Sequence, residues 1–95
     1  SRPEPVTIAS ANGVISLFWP SAPEPDVVGY NVYRATSAGA SDDQWIKLTP
    51  EPITPVTFRD DRVQIDQTYF YRVTAIDRFN NESKPSPVVS ETVHP

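Results

Sequence analysis

The chain has no cysteine. Disulfides, thiol nucleophiles and thiolate metal ligands are therefore excluded. The compartment stays open, because an exported domain with an adequate core needs no disulfide. Histidine occurs once, as His94, one residue from the end. Metal binding and acid–base work by histidine need a partner held in a cleft, so His94 is expected to be a frayed terminal residue. Glycine is scarce, three residues against eleven prolines, which implies stiff, extended boundaries rather than floppy linkers. There is no Gly-x-Ser-x-Gly elbow and no Gly-rich phosphate loop, so serine hydrolase and nucleotide-binding chemistry have no motif to rest on. No apolar run approaches the length of about 18 residues that would cross a bilayer, and no signal peptide is visible. Positive charge is also short: eight Lys and Arg face twelve Asp and Glu, a net charge of −4. A nucleic-acid or anionic-membrane partner needs a basic face, so both are excluded as expectations. The carboxylates Glu24, Asp26, Asp42, Asp43, Asp60 and Asp61 are scattered and read as solvated loop charges.

What is present points to one small all-β domain over residues 1–95. Hydrophobic residues make up only 38%, but two Trp, four Tyr and four Phe supply large rings for a core. No window holds a helical apolar period free of interruption, whereas period-two alternation recurs at short spacing between turn residues. Val6–Ala9 reads as a first strand, with Pro3 and Pro5 suiting an edge. Asn12-Gly13 is the strongest hairpin turn. Val14–Trp19 follows, with Ile15, Leu17 and Trp19 inward. In Gly29–Arg34, Tyr30 and Val32 point inward and Asn31 and Tyr33 outward. Ala35–Gln44 is polar and reads as a flexible loop. Trp45–Leu48 and Val56–Asp60 are short strands, the latter anchored by Phe58. In Thr68–Ile76, Tyr69, Tyr71, Val73 and Ala75 share the inner face and Phe70, Arg72 and Thr74 the outer. Val88–Val93 closes the domain, with Pro85 and Pro87 guarding an edge.

These residues resemble the fibronectin type III family over nearly the whole chain. The resemblance rests on Pro5–Ile8, on Ile15-x-Leu17-x-Trp19, on the Gly-Tyr-x-Val-Tyr-Arg run Gly29–Arg34, on Val63 six positions before Tyr69, on Tyr69–Ala75, and on Asn81-Glu82-Ser83. It implies a seven-stranded immunoglobulin-like β-sandwich with sheets A-B-E and C-C′-F-G. It also implies that Tyr69 is a tyrosine-corner residue whose hydroxyl bonds to nearby backbone. Two departures stand out. Ile65-Asp66 replaces the Pro-Gly turn common before the corner, and the Arg-Gly-Asp adhesion tripeptide is absent.

No catalytic residue, cofactor or metal is expected. Adjacent carboxylates on a strand point to opposite faces, so Asp42/Asp43 and Asp60/Asp61 are not dyads. Asp77, Asn80, Asn81 and Glu82 are the one oxygen-rich grouping, and a turn is preferred there over calcium, which wants six or more shaped oxygens. Asn81-Glu82-Ser83 is also a glycosylation sequon. The candidate binding surface is Tyr33, Phe70, Phe79, Asp77 and Asn80. Tyr33 and Phe70 are expected side by side on neighbouring strands, as a binding patch or as a cross-strand pair stabilising the sheet, with Arg34 and Arg72 stacked on these rings.

Two roles follow. One is a non-catalytic spacer between neighbouring domains of the same chain. The Pro-rich ends read as the limits of a module excised from a longer secreted or cell-envelope protein. The other is a protein- or polysaccharide-binding module using the B–C loop (Pro20–Val28), the F–G loop (Asp77–Pro85) or the Tyr33/Phe70 face. In isolation the domain is expected to be a monomer.

Overall fold

A computed structural model describes residues 2–95. Seven strands follow one another: β1 (Thr7–Ala11), β2 (Val14–Phe18), β3 (Val27–Ala35), β4 (Ile46–Lys47), β5 (Thr57–Asp60), β6 (Thr68–Asp77) and β7 (Val89–Thr92). They form two antiparallel sheets, β1-β2-β5 and β4-β3-β6-β7. This is the expected A-B-E against C-C′-F-G sandwich.

The strands arise where the sequence alternates, and they turn where the backbone can. Asn12 and Gly13 both adopt positive φ, 55° and 75°, and Ala11 pairs directly with Val14. Two central residues with positive φ match the right-handed twist of the flanking strands. The hairpin carries β1 two residues beyond the expected Val6–Ala9 end. Side chains then separate by parity. Ile15, Leu17, Val32, Tyr71, Val73 and Val93 are fully buried between the sheets, with Trp19 and Tyr30 meeting edge to face at 5.6 Å between ring centroids. Phe58 packs on this core half-buried. The Tyr69 hydroxyl accepts the Gln64 N–H at 3.0 Å, which makes Tyr69 the corner residue. The turn before it places Asp66 at φ 71°, the left-handed conformation that a Pro-Gly turn would give to glycine.

Gly29 is required by a close approach. A Cβ there would lie 2.8 Å from the Pro52 Cβ and 3.2 Å from the Ile53 carbonyl oxygen, because Ile53 bonds to Tyr30 in both directions at 2.8 and 2.9 Å. Gly29→Ala is expected to cost about 1–3 kcal/mol through this overpacking, measured as a shift in the urea midpoint at constant m-value.

Several expectations are corrected. The strand over Trp45–Leu48 contracts to Ile46–Lys47, and Trp45 turns its ring onto the sheet. The polar stretch Ala35–Gln44 ends in a 3₁₀ turn over Asp42–Gln44. Asn31 points outward yet is buried, because Thr49 covers it and donates to its Oδ1 at 2.9 Å. Asp60 is not a solvated loop charge: it is 4% exposed. Its carboxylate accepts Arg34 Nη1 at 2.8 Å and the Tyr71 hydroxyl at 2.7 Å. Parity explains this, since Asp60 follows Phe58 on the inner face of β5 and needs a cation there. His94 is not frayed. Its N–H donates to Ser10 Oγ at 2.8 Å, and its carbonyl accepts the Gly13 N–H at 2.7 Å.

These bonds fix the position of His94. β1 runs towards the Asn12-Gly13 hairpin, where His94 is also held, so the first and last described segments lie at opposite poles. The principal extents are 39 × 26 × 22 Å.

Candidate functional site

The outer face of β4-β3-β6-β7 carries Tyr33 and Phe70, two of the aromatic residues singled out above. Tyr33 stands between Lys47 on β4 and Arg72 on β6. Phe70 stands opposite Ala35, two positions along. The expected Tyr33/Phe70 neighbourhood is therefore displaced by one step of the pleat, and Arg72 takes the place beside Tyr33. Arg72 does not stack on either expected ring. Its guanidinium sits 4.5 Å from the centroid of Trp45, whose Nε1 donates to the Ala40 carbonyl at 3.3 Å. Arg34 lies on the other side of the sheet, 5.5 Å from the Tyr69 ring.

Trp45 and Arg72 are the residues that sequence reasoning missed as a unit. A tryptophan at the end of a polar loop, beside a short strand, was the available signal. A large ring in that position needs a surface to cover.

Glu82 organises the centre of the face. One carboxylate oxygen accepts both the Tyr33 hydroxyl at 2.5 Å and Thr74 Oγ1 at 2.6 Å. Burial pushes the Tyr33 phenol up to about 12, with the hydrogen bond to Glu82 and its negative charge adding to the effect. Burial would also raise the Glu82 carboxyl. Hydrogen bonds from Thr74, Tyr33 and Asn31 and the charge of Lys47 outweigh it and hold the carboxyl below its usual range. The two shifts agree: a neutral phenol donates to an ionised carboxylate.

A folded-state pKa above the unfolded value means stability that is complete below the unfolded value and lost as pH rises through the folded one. For Tyr33 that window runs from 10.0 to about 12. Burial raises the Tyr71 phenol as well, with Asp60 adding to it, so both residues weaken the fold in the same alkaline direction. Glu82→Gln is expected to bring the Tyr33 titration back towards its ordinary value, read by tyrosinate absorbance or by NMR of the ring carbon bearing the hydroxyl.

The F–G loop is built differently. Asp77 Oδ1 accepts the N–H groups of Phe79 and Asn81 at 2.9 and 2.8 Å, and Oδ2 accepts Asn81 Nδ2 at 3.2 Å. Asn80 adopts φ 65°. The Asn81 N–H above all, with the Asn81 side chain, the Phe79 N–H and the charge of Arg78, holds the Asp77 carboxyl below its usual range against the opposing effect of desolvation. Asp77 is therefore occupied in closing the turn, and Glu82 faces Tyr33 and Thr74. The oxygen-rich grouping is divided between two tasks, and no acidic or histidine cluster able to hold a metal occurs among the described residues. The sequon is tied into the same turn, since Ser83 Oγ accepts the Ala75 N–H at 2.9 Å. Phe79 stands apart, 70% exposed, with the Arg78 guanidinium 5.3 Å from its ring. Between this loop and the B–C loop lies an open cleft of about 210 Å³, bordered by Asp26, Val27, Asp77, Asn81 and Ser83. The five candidate residues thus fall into two groups, Tyr33 and Phe70 on the sheet and Asp77, Phe79 and Asn80 on the loop.

The same architecture occurs in solved structures. An Fn3-like protein from Clostridium thermocellum superimposes with a TM-score of 0.81 at 23% identity, covering 95% of this chain and 88% of that one. The fn3 domain of human contactin 1 gives 0.80 at 18% identity, covering 99% and 77%. This chain has the fibronectin type III-like fold. No family model matches it. Pectate lyase PelI from Erwinia chrysanthemi contains a similar fold over 28% of its chain, with a TM-score of 0.78 at 21% identity and 95% of this chain covered. In sequence, the fibronectin type III-like domain is similar to segments of amylopullulanases. It is 33% identical over 86 residues to that of Thermoanaerobacter thermohydrosulfuricus and 31% over 84 residues to that of Thermoanaerobacterium saccharolyticum. These matches cover 87% and 88% of the domain but only 5% and 6% of the relatives' length.

Proposed function

We propose that the domain is a non-catalytic spacer in an exported or cell-envelope polysaccharide-degrading enzyme, holding neighbouring domains at a set distance and orientation. The observation that carries this reading is the similarity along nearly the whole domain to about one-twentieth of an amylopullulanase. Such proportions fit an accessory module beside a much larger catalytic body. The geometry supports it in two ways. The first and last segments sit at opposite poles, which suits a link in a linear array. Two of the aromatic residues of the outer face are also engaged within the domain, the Tyr33 hydroxyl by Glu82 and the Trp45 ring by Arg72, which reduces what they offer to a sugar.

A second reading is favoured by one observation, the exposure of Phe79 at the tip of a well-braced loop. It makes the F–G pole a contact for protein or polysaccharide. The two readings separate when the domain is exchanged, within its parent polypeptide, for an unrelated β-sandwich of similar length. A spacer is replaceable, so activity on polymeric substrate is expected to persist after the exchange. Loss of activity or of polysaccharide binding in the exchanged protein, with folding intact, would refute the spacer role.

A further inference from the structure

The domain has an uneven distribution of its few cations. Beside the gap between the two sheets, on the side of β4 and β5, runs a groove of about 490 Å³. Its floor is apolar, formed by Ile46, Leu48 and Phe58, and Lys47, Arg59 and Arg62 stand around it. Arg34 and Asp60 also border it but neutralise each other in a partly buried ion pair. Asp61 is the one remaining carboxylate at its edge. Three cations thus face one anion in a chain whose net charge is −4. Lys47 is shared, since its charge also acts on Glu82 across the outer face.

The groove is bordered by unsatisfied backbone. β5 ends its sheet, so no strand lies on its far side. The Trp19 N–H donates to the Val56 carbonyl at 3.0 Å, and the same register pairs Leu17 with Phe58 and Ile15 with Asp60. Hydrogen-bonded pairs alternate along an antiparallel ladder. Phe58 and Asp60 therefore turn their backbone groups to β2, and Thr57 and Arg59 turn theirs to the open edge. The far end of the groove is braced, because Asp60 Oδ1 accepts the Arg62 N–H at 3.1 Å and Arg34 Nη1 donates to the Arg62 carbonyl at 3.2 Å.

We propose that this groove binds an extended acidic peptide segment, which adds to β5 as a further strand. Strand addition satisfies the outward N–H and C=O groups of Thr57 and Arg59. Alternation in the added strand sends every second side chain to the floor and the others to the rim. The matching sequence pattern is apolar residues alternating with Glu or Asp. Charge complementarity with Arg59, Arg62 and Lys47 selects the acidic pattern and steers its approach.

The test is a titration of the isotope-labelled domain with a capped octapeptide of alternating Val and Glu, at low ionic strength and again at about 0.5 M salt, where screening is short-ranged. Saturable amide shifts are expected at Thr57, Arg59 and Asp61, weakening at high salt. The double substitution Arg59→Glu with Arg62→Glu is expected to weaken binding at least tenfold while leaving the rest of the spectrum in place. Arg59→Pro removes the outward N–H without touching the β2 ladder and is expected to abolish binding; should that variant unfold, the charge-reversed one still decides. Equal binding of a control octapeptide of alternating Val and Lys would overturn the proposal, as would shifts confined to residues outside 46–48 and 57–62 or no shift at millimolar peptide. Polygalacturonate binding at the same residues as tightly as the peptide would also overturn it, by showing that charge alone is recognised.

Discussion

Trp19→Ala is expected to destabilise the domain by about 3–5 kcal/mol, the range for removing a large buried ring. Trp19 is 3% exposed and meets Tyr30 edge to face. It comes from the end of β2 and Tyr30 from β3, so the ring joins the two sheets rather than decorating one. A domain of this size has a total stability of about 5–15 kcal/mol, so the variant gives up a large share of it. Urea denaturation followed by Tyr fluorescence and far-ultraviolet circular dichroism measures the loss. A change below about 1 kcal/mol would place Trp19 outside the energetic core.

The second large effect is expected at Asp60. Asp60→Ala removes the acceptor of the Tyr71 hydroxyl and the ion partner of Arg34, and the Arg34 side chain is itself only 16% exposed. Removing one member of a buried pair typically costs about 3–5 kcal/mol, because the remaining charge is left desolvated. Tyr71→Phe, which deletes one hydrogen bond, is expected to cost about 1–2 kcal/mol. The double change Arg34→Met with Asp60→Leu should recover much of the loss, since apolar replacement of a whole buried pair is often neutral or better. If Asp60→Ala alone costs no more than an ordinary surface substitution, the Arg34–Asp60–Tyr71 network contributes no net stability.

Much of the fold could be read from the sequence, because two of its signals are local. Parity along Val14–Trp19 and Thr68–Ile76 placed Ile15, Leu17, Trp19, Tyr69, Tyr71, Val73 and Ala75 on the inner face, where all of them are buried. The Asn-Gly pair marked the first hairpin. What could not be read depends on partners distant in the chain. Asp60 looks like any loop carboxylate until β3 brings Arg34 beside it, 26 residues away. Asn31 looks exposed until Thr49 is folded over it. His94 looks free until Ser10, 84 residues earlier in the chain, accepts its N–H. The candidate surface suffered from the same limit. Neighbouring strands put Tyr33 and Phe70 on one face, but register decides adjacency, and register sets Tyr33 opposite Arg72. The stack of Arg72 on Trp45 joins a strand to a loop of no fixed shape in the sequence, so neither residue announced the other.

Since the similar segments lie in amylopullulanases, α-glucans are the sugars on which the proposed spacer role is tested. The most direct measurement is a chemical-shift titration of the isolated domain with linear α-glucan oligosaccharides and pullulan up to millimolar concentration. The spacer account predicts no saturable shift at any residue, including Tyr33, Trp45, Phe70 and Phe79. Saturable shifts confined to the outer face of β4-β3-β6-β7 or to the F–G loop would contradict it and make the domain a glycan-binding module.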